Sequence, residues 1–194
     1  VHKMGILKLA DFNARIEAAR EIVKKNGLDA IMVFSTECEP AQVRYFSDYW
    51  PSFETAAVLV PAKGDAALLI GPESLTYASA RTKIPNVIQL MDFRESSQPD
   101  YPGSRLPKWA DVVKRYSLKK IGLSGYFLFS HFLFPYAMMA PLAKAMGGMR
   151  NVVPADDMMR PLYMKKSPAE VKCLKAAAKA SEAGFKAILE AIRP

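Results

Sequence analysis

RIEAAREIVKKNGLDAIMVF, residues 15–34, contains a change from one kind of regular structure to another. Phe12, Ile16, Ala19 and Val23, spaced by four, three and four residues, share one face of a helix. Asp11 is its expected cap and Asn26-Gly27 its expected stop, because glycine enters the left-handed conformation that ends helices at little cost. Leu28–Phe34 then runs almost unbroken in apolar side chains, the pattern of a strand covered on both faces. A helix delivering a buried strand is an αβ unit.

Downstream, Thr55–Val60 and Ala66–Ile70 flank Pro61-Ala62-Lys63-Gly64-Asp65, whose proline, glycine and aspartate favour a turn, so the two runs are expected as a hairpin. A helix is expected from Gly71-Pro72 to about Arg81, and a strand at Asn86–Leu90. Met91–Arg105, with Pro99, Pro102, Gly103 and three serines, is expected as loop. Leu106–Tyr116 reads as a helix with Trp109, Val112 and Val113 inward, and Lys120–Ser124 as the strand of a second αβ step. Phe132–Met146 is expected to be helical up to Gly147-Gly148, with Asn151–Val153 as a last short strand. Helices alternating with short buried strands, one pair of them a hairpin, predict a three-layer α/β/α domain with a mixed sheet.

The C-terminal segment carries the plainest local signal. Ser167-Pro168-Ala169-Glu170 places serine at the cap, proline at the first helical position and glutamate three residues on, a capping box that opens a long helix. Val171, Leu174, Ala178, Phe185, Ile188 and Ile192 form one stripe, with Lys172, Lys175, Lys179, Glu182 and Lys186 displaced around the cylinder. The stripe requires a covering surface, and the sequence stops at Arg193-Pro194 as if cut from a longer protein.

The 194 residues are 51% hydrophobic and 24% charged, an ordinary globular composition. The net charge of +8 is uneven: from Arg160 onward eight basic residues face three acids, +5 of the total. Without interleaved aromatic and basic residues, zinc spacing or a recognition helix, this distribution argues against nucleic acid and for a solvated helix face or an acidic partner. Cys38 and Cys173 lie far apart and outside any CxxC, which suggests a reducing, cytoplasmic setting. The most apolar stretch, Tyr126–Leu142, is broken by Ser130, His131 and Pro135 and falls short of a membrane span, so no membrane association is expected.

Three segments together resemble the amino-terminal domain of creatinase, prolidase and aminopeptidase P proteins. Arg15-Ile16-Glu17 through Asn26-Gly27-Leu28-Asp29-Ala30-Ile31-Met32-Val33 is similar to the family's first helix, turn and strand. Val43-Arg44-Tyr45-Phe46-Ser47-Asp48-Tyr49 resembles a second family segment, with Gln42 where asparagine is frequent and Asp48 where glycine is usual. Met164-Lys165-Lys166-Ser167-Pro168-Ala169-Glu170-Val171 and the alanine-rich helix after it resemble the junction into the catalytic domain, with Tyr163 at the usual arginine position. The resemblance implies a ribonuclease H-like sheet over residues 1–160. Residues 161–194 would then be the linker and first helix of a pita-bread catalytic domain.

The same resemblance implies a metal-dependent Xaa-Pro dipeptidase or aminopeptidase as the parent, a homodimer acting on peptides. Its two divalent metals (Mn, Co or Zn) would be held by two aspartates, one histidine and two glutamates of the second domain. This chain would carry dimerisation and substrate gating, with no catalytic residue and no metal ligand of its own. His2 lies at the chain's terminus, His131 sits in an apolar stretch with no acid nearby in sequence, Asp156-Asp157 reads as helix-start charge, and Ser124 has no partner base. Tyr45, Phe46, Tyr49, Trp50 and Phe53 place five aromatics within nine residues beside Pro51. By analogy with loops that reach a neighbouring subunit's active site, Tyr49, Trp50 and Phe53 are the substrate-binding candidates. The competing assignment makes Tyr45 and Phe46 core and the others cover for a sheet edge. Two other functions stay open on these residues: a protein- or peptide-binding module of a catalytically inactive relative, and a creatinase-like amidinohydrolase domain.

Overall fold

The computed structural model describes residues 7–52, 55–94, 105–125 and 136–193. Helix α1 (Leu9–Lys25) leads into strand β1 (Ala30–Ser35) through the turn expected of Asn26-Gly27. Gly27 has φ +62°, its N–H reaches the Lys24 carbonyl, and the Leu28 N–H reaches back to the Val23 carbonyl. This is the doubly bonded helix stop that needs a left-handed residue. Asp29 then fixes the strand's start, its carboxylate accepting the N–H groups of Lys119 and Lys120 at 2.7 and 2.8 Å. Asp11 is not the cap. It lies in the first turn and its carboxylate accepts the Lys8 N–H at 2.7 Å, because an acidic third residue can reach back to the chain entering the helix.

After α2 (Ala41–Ser47), β2 (Ala56–Pro61) and β3 (Ala67–Ile70) form the expected antiparallel hairpin. A short 3₁₀ turn precedes α3 (Leu75–Arg81), and β4 (Val87–Gln89) follows. Helix α4 covers Trp109–Tyr116, shorter than the Leu106 start expected. Pro107 holds the chain extended before it, and its carbonyl accepts the Met91 N–H at 2.9 Å. Then come β5 (Ile121–Ser124), α5 (Tyr136–Ala145), β6 (Val152–Pro154), α6 (Asp156–Met164) and α7 (Pro168–Ala191). The expected helical residues 132–135 lie outside the described residues, as does His131.

The six strands form one sheet in the order β4-β3-β2-β1-β5-β6. Pairing is antiparallel between β1 and β2 and between β2 and β3, and parallel elsewhere. Alternation along β1 assigns its side chains to two layers. Met32 and Phe34 pack with Trp109, Val112, Met139 and Leu142, the α4/α5 side. Ile31 and Val33 pack with Ala19, Val23, Val43, Phe46, Ala78 and Met159, the α1/α2/α3/α6 side. All six β1 positions are buried, as a strand covered on both faces must be. Gly122 on β5 is required by close approach: a Cβ there would lie 2.9 Å from the Ala155 Cβ.

Helix α7 lies apart from this arrangement. The Ser167 capping box forms as read, but none of the helix's residues is buried.

Candidate functional site

The aromatic segment divides on folding. Val43 and Phe46 of α2 enter the core, and the helix ends at Asp48 in the left-handed conformation (φ 60°), which aspartate tolerates better than most side chains. Ser47 secures the turn, its hydroxyl bonding to the Val43 carbonyl at 2.7 Å and accepting the Tyr49 N–H at 3.1 Å. Tyr49 thereby faces inward, 0% exposed, its ring packed 5.5 Å from that of Tyr77. It is a core residue of this domain and presents no surface to a pocket. Trp50, the next residue, is 42% exposed, with the Arg44 guanidinium 5.0 Å from its ring centroid. That contact holds the indole in place while leaving it open to solvent. Phe53 lies outside the described residues.

A second cluster joins residues that lie far apart in the sequence. β1 and β5 are parallel neighbours, yet the helices that follow them, α2 and α5, pack on opposite faces of the sheet. The C-terminal ends of such a strand pair form the crevice where α/β folds often place ligands. Here the crevice is filled by the protein itself. The Ser124 hydroxyl donates to Gln42 Oε1 at 2.6 Å, the Tyr163 hydroxyl makes a longer contact to the same oxygen at 3.4 Å, and the Gly125 N–H donates to Asp156 Oδ1 at 2.8 Å. Burial pushes the Tyr163 phenol well above its usual range, so it stays neutral. An amide oxygen is no general base, and Ser124 is 1% exposed, so the cluster ties α2, β5 and α6 together without offering a nucleophile. The sequence signal available was the position of Ser124 at a strand end. Without knowing that β1 and β5 are adjacent, Gln42 and Tyr163 could not be joined to it.

A third cluster lies where α1 meets the start of α7. Arg15 is 8% exposed; it donates to the Tyr45 carbonyl at 2.6 Å, stacks 4.1 Å from the Tyr45 ring and pairs with Glu170 Oε1 at 3.2 Å. Tyr45 in turn meets Phe46 and Tyr163 edge to face at 5.0 and 5.1 Å. Burial, and next the Glu170 charge, raise the Tyr45 phenol. Burial also acts to raise Glu170, but the hydrogen bonds from Ser167 and the charges of Arg15 and Lys166 outweigh it and hold the carboxyl below its usual value.

Among the described residues no three His, Cys, Asp or Glu side chains converge where a metal ion could be held, and no helix is long and apolar enough to cross a membrane. Cys38 and Cys173 form no disulfide.

Residues 15–164 match the Creatinase/Prolidase N-terminal domain family. The chain belongs to this family. Solved structures of the same fold include the Xaa-Pro dipeptidase from Bacillus anthracis, 22% identical, covering 94% of this chain and 44% of that one with a TM-score of 0.65. The prolidase from Pyrococcus horikoshii OT3 is 19% identical, over 93% of this chain and 44% of its own, also at 0.65. The N-terminal domain of cytoplasmic peptidase PepQ from Mycobacterium tuberculosis H37Rv is 19% identical, over 77% of this chain and 98% of its own, at 0.54. No curated protein matches the sequence. This creatinase/prolidase N-terminal domain spans less than half the length of the full-length peptidases it resembles.

Proposed function

We propose that this family member is the non-catalytic N-terminal domain of a metal-dependent Xaa-Pro dipeptidase- or aminopeptidase-like hydrolase, and that α7 opens the second domain. The observation that carries the reading is α7 itself. It is 24 residues long and none is buried, and it presents Leu174 at 56% and Phe185 at 67% exposure, along with Ile188, Leu189 and Ile192. A face of this kind is stable only when covered.

In this reading catalysis belongs to residues that the chain lacks, and two bridged Mn, Co or Zn ions would be held there. The domain contributes a dimer contact and, through Trp50, a wall of the peptide pocket of a neighbouring subunit. The first test is the coding sequence beyond residue 194. Two aspartates, a histidine and two glutamates in a following domain support the reading, and a stop codon overturns it. In the complete enzyme, Trp50→Ala should change KM or kcat severalfold at nearly constant Tm. Unchanged kinetics with a few kcal/mol of lost stability would assign Trp50 to packing instead. For the dimer contact, light scattering should show association of the 194-residue chain that is lost in a chain ending at Met164.

A further inference from the structure

We infer that Arg15 and Glu170 form a latch that sets the direction of α7 relative to the domain, a positioning role distinct from the cap that Glu170 also provides. Glu170 divides its carboxylate between two tasks. Oε2 accepts the Ser167 N–H at 2.8 Å and closes the capping box, while Oε1 pairs with Arg15 at 3.2 Å. Arg15 is itself held from three other directions, by the Tyr45 carbonyl, the Tyr45 ring and the Phe12 ring at 5.1 Å. The guanidinium is therefore a fixed point of the domain, and the carboxylate is a fixed point of the helix.

Close packing does not supply the same constraint. No residue of α7 is buried, and a groove of about 400 Å3, lined by Arg15, Tyr45, Lys165, Lys166 and Glu170 among others, lies at the junction. The helix is roughly 35 Å long at 1.5 Å per residue, so a swing of about 20° at its base would move its tip by about 12 Å. A pair at the base of such a lever governs the position of whatever the helix carries. The inference concerns this chain alone and does not require a second domain, so its test stands apart from that of the proposed function.

The test uses the 194-residue chain with Cys173→Ser and Ala191→Cys, spin-labelled at Cys38 and at position 191. Distances are read with and without Glu170→Gln or Arg15→Met. Glutamine keeps the acceptor of a capping box but loses the charge, so it separates latch from cap. The parent should give one narrow distance distribution. Both variants should broaden it at least twofold, with helicity by circular dichroism unchanged in Glu170→Gln. Equal widths in parent and variants would overturn the latch, and so would broadening in Glu170→Gln that comes with lost helicity, which would assign the effect to the cap. If Arg15→Met does not fold, Glu170→Gln decides alone.

Discussion

α1 and α7 are both capped helices with an apolar stripe, yet α1 buries Phe12, Arg15, Ala19 and Val23 while α7 buries nothing. The two differ in surroundings more than in pattern. α1 is followed after a tight turn by β1, and the strand draws it onto the sheet. α7 departs from α6 through Lys165–Ser167, and no strand among the described residues follows it. Periodicity shows that a helix has a face to cover; it does not show which surface covers it.

The largest test of this contrast compares two phenylalanines. Phe12→Ala should cost the domain about 3–5 kcal/mol in denaturant unfolding, because it empties a packed site. Phe185→Ala, on a helix exposed in this chain, should stay within about 0.5 kcal/mol at a concentration where the chain is monomeric. Equal losses there would mean that α7 packs on its own domain in solution.

Next in size is the place where the two helices meet. A largely buried ion pair such as Arg15–Glu170, at 3.2 Å, contributes on the order of 1 kcal/mol. The folded-state value of Glu170 lies below its ordinary 4.5, so this contribution is complete above that pH and is lost as the pH falls through the depressed folded value. Acid titration of the domain's stability should therefore show a loss below about 4.5 that is absent in Glu170→Gln. An identical acid profile in the variant would remove Glu170 from the account.

The smallest test applies one substitution twice. Gly27 ends α1 at φ +62° with open space around it, so Gly27→Ala should destabilise by about 1 kcal/mol through backbone strain alone. Gly184 lies inside α7, also with open space, and Gly184→Ala should stabilise that helix by about 1 kcal/mol and raise its ellipticity. Matching signs would contradict the assignment of one position to a helix stop and the other to a helix interior.

Local rules made much of the fold legible. The Gly27 stop, the hairpin turn and the Ser167 box depend on contacts within a few residues, and β1 is marked by its unbroken apolar run; each is found where the sequence placed it. The errors have local causes of another kind. Asp11 works from inside the first turn instead of capping it, and Pro107 delays α4. The candidate surface was less legible. Tyr49 and Trp50 are adjacent and similarly aromatic, and only the left-handed turn at Asp48 decides that one is core and the other exposed.

The sequence by itself determined most of the elements, with α2 the one it missed, their order and the need of each apolar stripe for cover, because backbone conformation and side-chain periodicity are set by near neighbours. Tertiary structure alone decided that β5 lies beside β1, that Gln42, Ser124 and Tyr163 meet at its end, and that Arg15 reaches Glu170. Those contacts join residues 82 to 155 positions apart, and such meetings are fixed by how the layers pack and by no local preference of the chain.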